Sequence, residues 1–156
     1  LKIKFLQLGK TEQVWLREGV EIYRKRLTRY LSFESIELTI PGSTKLSEEK
    51  QLQAEGEKLL AALKPGDWLV LLDDKGMTCT SEGLAAWINK KFVSLSGDLV
   101  FACGGAYGFH ASVIARSNEK LSLSQLTFTH QMVRLVFTEQ LYRAMTILRN
   151  EPYHHS

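Results

Sequence analysis

Residues 98–108 read Asp98-Leu99-Val100-Phe101-Ala102-Cys103-Gly104-Gly105-Ala106-Tyr107-Gly108. From Leu99 to Cys103 the run is apolar without alternation. Such a strand is buried on both faces, as central strands of parallel sheets are. It runs directly into glycines. Glycine after a buried parallel strand lets backbone approach a ligand, and ligands of such sheets bind at the strands' carboxyl ends. The spacing fits neither GxGxxG nor GxxxxGK[ST], so neither a dinucleotide nor a nucleoside triphosphate is supported. Taken alone, the segment reads equally well as a tight strand-to-helix turn.

Outward from this stretch the same logic repeats. Asp67–Leu72 (DWLVLL) is a second continuous apolar strand, followed by a turn through Asp73-Asp74-Lys75-Gly76. The two aspartates could meet a cation, but no His or third carboxylate stands at ligand spacing, so no metal is expected. Further strands are expected over Lys2–Leu8, Phe33–Ile40 and Lys120–Leu123. Helical patterns cover Thr11–Leu31, Ser47–Leu63, Ser81–Phe92, Ala111–Ser117 and His130–Arg149, with a polar loop near Ser43–Lys50. Alternating strands and helices predict an α/β fold, a mostly parallel sheet flanked by helices. No repeat and no linker divides the chain, so residues 1–156 are read as one domain.

Composition agrees. The chain has 156 residues, 44% of them hydrophobic and 24% charged, which suits a globular core and excludes intrinsic disorder. No apolar run approaches the ~20 residues of a membrane span. The opening LKIKFLQLGK lacks the apolar core of a signal peptide. Cys79 and Cys103 form neither a CxxC pair nor a zinc spacing with His. Reduced thiols in a cytoplasmic protein are expected. The net charge of +3 permits a nucleic-acid partner without demanding one.

The last helical pattern carries the most chemistry. It reads His130-Gln-Met-Val-Arg134-Leu-Val-Phe-Thr-Glu139-Gln-Leu-Tyr142-Arg143-Ala-Met-Thr-Ile-Leu-Arg149. Apolar side chains go nearly all round it, so burial by its own core and by a second chain is expected. Yet it keeps His130 with Arg134, and Glu139 with Arg143, each at i,i+4. Buried charges are expensive unless paired or functional. Structural ion pairing and an anionic or developing-charge site are both open readings. The tail Glu151-Pro152-Tyr153-His154-His155-Ser156 can stack on and hydrogen-bond a base, or simply dock its ring. In Thr11–Leu31, Arg17, Arg24, Lys25, Arg26 and Arg29 are interleaved with Tyr23 and Tyr30. That helix reads either as an RNA-contacting face or as a solvated one.

Together these segments resemble a known family. Gly104-Gly105-x-x-Gly108, Leu121-Ser-Leu123-Ser124-x-Leu126-Thr127-Phe128-x-His130-Gln-Met-x-Arg134, Glu139-Gln-Leu-Tyr142-Arg143-Ala and Pro152-Tyr153-His154 are similar to the RlmH family. These are bacterial large-subunit ribosomal RNA methyltransferases of the SPOUT class. Leu8-Gly9-Lys10 and Glu55-Gly56-Glu57 look similar as well, so the resemblance covers essentially the whole chain.

The resemblance implies a C-terminal deep trefoil knot, which sequence periodicity could not show. It implies S-adenosylmethionine as cofactor, with S-adenosylhomocysteine as product and no metal. It also implies a homodimer. The substrate would be N3 of a pseudouridine in 23S rRNA, in assembled ribosomes. Leu72, Gly104, Gly105 and Gly108 would touch the cofactor, and Leu123, Ser124, Gln125, Leu126, Thr127 and Phe128 would loop round its adenine. His130, Arg134, Glu139, Tyr142 and Arg143 would lie near methyl transfer, with Tyr153 and His154 completing the site from either subunit.

Arg143 or Arg134 is the expected donor to the substrate carbonyls. His154 or Glu139 is the expected proton acceptor, unless Glu139 only orients Arg143. Thr129 stands where the family often has Pro, which predicts a less constrained loop. Two rival readings are a catalytically silent ribosome-binding factor and a SPOUT methyltransferase acting on tRNA.

Overall fold

A computed structural model describes residues 2–156. Five strands and five helices alternate along the chain: β1 Lys2–Leu8, α1 Val14–Leu27, β2 Ser32–Leu38, α2 Glu48–Ala61, β3 Trp68–Met77, α3 Ser81–Ser94, β4 Leu99–Cys103, α4 Ala111–Arg116, β5 Glu119–Leu121 and α5 Met132–Leu148. The strands form one sheet in the order β2-β1-β4-β3-β5, and every pairing is parallel. This is the α/β architecture the alternation predicts.

Side-chain parity divides the core between the two faces of the sheet. Ile3, Phe5, Val70, Leu72, Leu99, Phe101 and Cys103 point to one face, where Phe137 and Leu141 of α5 and Ile88 of α3 cover them. Leu6, Leu8, Leu69, Leu71, Val100 and Ala102 point to the other, under Leu59 of α2 and Val113 of α4. The continuous apolar runs are thus buried on both faces, as central parallel strands require. Phe137 sits between Phe5 and Phe101, with ring centroids 4.6 and 4.7 Å away. These are tilted contacts of the kind aromatic pairs prefer.

Most element boundaries shift by one to four residues from the sequence expectation, and three local departures are informative. Strand β3 does not stop at Leu72 but continues through an irregularity to Met77, which pairs with Leu121. The expected turn at Asp73–Gly76 is therefore part of the strand, held at its end by the Ser122 N–H donating to the Met77 carbonyl at 2.8 Å. Helix α1 begins at Val14 rather than Thr11. The Thr11 amide donates to Glu37 and its hydroxyl accepts from Arg134, so the residue anchors the β1–α1 loop. The polar loop near Ser43 contains a short 3-10 turn, Ser43–Lys45.

Candidate active site

The carboxyl ends of β3 and β4 open into a cavity of about 550 Å³. Its floor is Leu72, where the regular part of β3 gives way to the irregularity, and Cys103, the last residue of β4. One wall is the turn Gly104–Gly108, and the other is the segment from Leu123 to His130. The turn closes on itself, since Gly105 bridges Gly108 and the Gly108 N–H donates to the Gly105 carbonyl at 3.2 Å. A Cβ on Gly104 would lie 2.8 Å from the Gly108 carbonyl oxygen, and Gly108 has φ +79°. Only glycine permits this closure.

Of the residues expected to hold a cofactor, Leu72, Gly104, Gly105, Gly108, Leu123, Ser124, Leu126, Thr127 and Phe128 line this cavity, whereas Gln125 does not. Asp73 and Asp74, which follow the second buried strand, also line it, as do Phe109, Thr129 and Val133, which no motif pointed to. Among the described residues no group of three or more His, Cys, Asp or Glu is placed to hold a metal ion.

The 123–130 wall is tied down locally. The Ser122 hydroxyl donates to the Ser124 carbonyl at 2.8 Å, and the Ser124 hydroxyl accepts from the Leu126 N–H at 2.9 Å. Thr129 is itself hydrogen-bonded to the start of α5. Its hydroxyl accepts from the Met132 N–H at 3.2 Å and its carbonyl from the Val133 N–H at 3.1 Å, so it caps the entry to α5. His130 sits on the cavity wall. Burial, then the nearby charge of Arg134, holds its pKa below the ordinary imidazole value. The ring is neutral at pH 7.

Arg134 lies elsewhere. It is fully buried, and its guanidinium donates to the carbonyls of Leu8 and Gly9 at 3.0 and 2.8 Å and to the Thr11 hydroxyl at 3.0 Å. A buried sheet leaves the carbonyls at the end of β1 needing donors, and Arg134 supplies them. These bonds give Arg134 the structural role, one of the two readings its sequence position left open.

The remaining expected residues gather at the far end of α5. Helix α5 ends in a Schellman turn. The Asn150 N–H donates to the Ile147 carbonyl, the Glu151 N–H donates to the Thr146 carbonyl, and Asn150 adopts φ 56°. This reversal folds the tail back along the helix, and the Tyr30 hydroxyl pins it by donating to Glu151 at 2.6 Å. Tyr153 then packs edge-on to Tyr142 at 4.7 Å, with the Arg143 guanidinium 4.8 Å from its ring centroid.

Glu139 is the hub of this cluster. Its Oε1 accepts from Arg143 Nη2 at 2.6 Å, Arg143 Nε at 3.1 Å and the Tyr153 hydroxyl at 3.0 Å, while Oε2 accepts from Gln140 at 3.0 Å. So engaged, it orients Arg143 and Tyr153 rather than standing as a free base. The hydrogen bond to Glu139 raises the Arg143 pKa. Burial, reinforced by hydrogen bonds with Tyr23 and Glu139, raises the Tyr153 phenol far above its usual range.

Arg143 Nη1 donates to His154 Nδ1 at 3.2 Å, so Nε2 carries the proton and donates to Glu82 at 2.8 Å. Glu82, whose partnership nothing in the sequence signals, is held below the usual carboxylate range chiefly by that bond.

The expected catalytic residues therefore form two groups within one chain. His130 is at the cavity. Glu139, Tyr142, Arg143, Tyr153 and His154 form the tail cluster. Between Val133 on the cavity wall and Arg143 the helix rises about 15 Å.

A wholly parallel α/β sheet with a glycine-walled cavity at its carboxyl edge is the arrangement in which α/β folds of this class place their ligand sites. The family model for predicted SPOUT methyltransferases matches residues 1–154. Proteins named ribosomal RNA large subunit methyltransferase H are similar over almost the whole length of both chains. The one from Parabacteroides distasonis is 48% identical over 99% of each chain. That from Cytophaga hutchinsonii is 45% identical over 99% of this chain and 100% of its own, and one from Porphyromonas gingivalis is 46% identical over 99% of each. The chain belongs to the SPOUT methyltransferase family, in the group of these ribosomal RNA large subunit methyltransferase H proteins.

Proposed function

We propose that the chain is a homodimeric, cytoplasmic methyltransferase that uses S-adenosylmethionine to methylate N3 of a pseudouridine in large-subunit ribosomal RNA within assembled ribosomes. The observation that carries this reading is the cavity. At about 550 Å³ it is the right size for an adenosyl ligand. Glycine backbone lies on one side, the adenine-sized slot from Leu123 to Phe128 on the other, and Asp73 and Asp74 at the rim suit a cationic group. The C-terminal trefoil knot belongs to the same reading.

When bound, S-adenosylmethionine supplies an electrophilic methyl group on a sulfonium. The chain's own residues must orient the imide and manage its proton. N3 of a uracil ring is protonated at neutral pH and attacks well only without that proton. Neutral His130, on the cavity wall, is the free base that takes it. Charge then spreads onto the carbonyl oxygens flanking N3. Arg143 keeps N–H groups beyond those committed to Glu139 and His154, and these stabilise that charge. Glu139 sets the guanidinium's orientation, and Tyr153 offers a ring for the base to stack upon.

The separation of the two residue groups calls for a second copy. Two α5 helices crossing antiparallel about a two-fold axis near Val136 and Phe137 would bring one copy's Arg143, Tyr153 and His154 to the other's cavity. Val14, Trp15 and Ile22 of α1, all more than half exposed, flank that face and suit coverage by the partner. Arg17, Lys25 and Arg26 are exposed along the same helix and Arg29 just beyond its end, and the dimer doubles this basic surface.

The test is titration calorimetry with S-adenosylmethionine alongside labelled methyl transfer to ribosomes lacking the modification, to bare ribosomal RNA and to tRNA. Binding with label in large-subunit ribosomal RNA of ribosomes is expected. Label in tRNA alone, or neither binding nor label, would overturn the reading.

A further inference from the structure

Helix α2 presses on the back of the glycine turn through two adjacent residues. Gly56 abuts His110, where a Cβ would lie 2.9 Å from the His110 Cβ. Glu55 abuts Gly105, where a Cβ would lie 2.8 Å from the Glu55 Oε2. Glu55 is only 6% exposed, and its Oε1 is buried without a hydrogen-bond partner. Burial raises its pKa, and the neighbouring Gln51 side chain offsets only part of that. A carboxylate in that position costs stability in the ligand-free chain, because a buried acceptor left unmade forfeits its hydration. Such a group is normally partnered, so its persistence behind the cavity wall calls for a reason.

The nearest structural element is the turn itself. It closes through the Gly108 N–H and Gly105 carbonyl, and Glu55 Oε1 takes no donor from it. An amide N–H from this turn would satisfy the carboxylate. A ligand that presses the turn toward α2 would supply it, and the recovered hydrogen bond would then count toward ligand affinity.

We propose that Glu55 is a positioning residue for the cofactor turn, taking an amide N–H of Gly105 or Ala106 onto Oε1 when the cavity fills and so locking the wall against the ligand. The inference rests on the reading of the cavity as a S-adenosylmethionine site. Glu55 touches no reacting atom. It acts through the turn.

A merely structural glutamate and a ligand-poised one respond oppositely to Glu55→Gln. The carboxamide is nearly isosteric but cannot hold a charge. The ligand-free variant should melt at or above the wild-type temperature, because an unpaired buried acceptor has been neutralised. Its affinity for S-adenosylmethionine should fall about tenfold or more, the scale of one hydrogen bond to a charged group. Affinity within about twofold of wild type would overturn the proposal, as would a fall in melting temperature with no loss of affinity.

Hydrogen exchange on the wild type needs no variant. The Gly105 and Ala106 amides should gain protection when S-adenosylmethionine binds, and unchanged exchange there would overturn the proposal. Wild-type protein that binds no S-adenosylmethionine would remove the cofactor reading and this inference with it, a result distinguishable from failure of Glu55 alone.

Discussion

Arg143 and His154, eleven positions apart, are joined by a hydrogen bond of 3.2 Å from Nη1 to Nδ1. A guanidinium only donates, so in this bond His154 Nδ1 is the acceptor and Nε2 the donor to Glu82. The tail is thereby attached to α5 through the residue whose charge the proposed chemistry needs most. Removing Arg143 should therefore affect turnover far more than cofactor binding. We expect Arg143→Ala to lower kcat by about 10²–10³, as for one oxyanion-hole donor. Affinity for S-adenosylmethionine should stay within about tenfold. Single-turnover kinetics and calorimetry separate the two, and equal losses in both would contradict the role.

Arg134 should behave in the opposite way. Its guanidinium closes the end of β1 through Leu8, Gly9 and Thr11. Arg134→Met leaves those carbonyls without donors and should cost about 3 kcal/mol in urea unfolding. Arg134→Lys should rescue little, because a point-like ammonium cannot reach several acceptors at once. A variant of wild-type stability that has lost activity would return Arg134 to the chemistry.

Glu119 predicts an acid limb in the stability curve. Burial alone would raise its pKa, but hydrogen bonds from Lys91, Trp68 and Trp87 together hold it below the ordinary 4.5. The Lys91 ammonium is 2.8 Å from its carboxylate and lies 4.1 Å from the Trp68 ring centroid. A depressed folded-state pKa gives stability that is present above the unfolded value and lost as pH falls through the folded one. Glu119→Gln should therefore melt below wild type at pH 7, and the gap should close between about pH 5 and 3. A gap that is constant with pH would contradict this.

The fold was legible because burial on both faces leaves a plain mark. The runs 99–103 and 68–72 have no polar residue inside them, and both proved to be interior strands of the sheet. The cavity followed from the glycines after Cys103 and the rule that such sheets bind at their carboxyl ends.

Arg134 was not legible. A buried arginine reads as an active-site charge until the open carbonyls of Leu8 and Gly9 are seen beside it. The tail's docking was not legible either, since it depends on one left-handed residue, Asn150, and on Glu82 from a distant helix. Val14, Trp15 and Ile22 are apolar positions of a helical pattern yet are exposed in the single chain. Periodicity reports that a face is apolar, not which chain covers it.

The central claim is that the cavity of one copy works with the tail cluster of another. Mixing two inactive variants tests it most directly. Leu123→Trp fills the cavity and Arg143→Ala removes the guanidinium. Unfolded and refolded together in equal amounts, they should regain about one quarter of wild-type methyl transfer, because half the dimers would be mixed and each would carry one intact composite site. Activity no greater than that of the two variants measured separately would contradict a shared site.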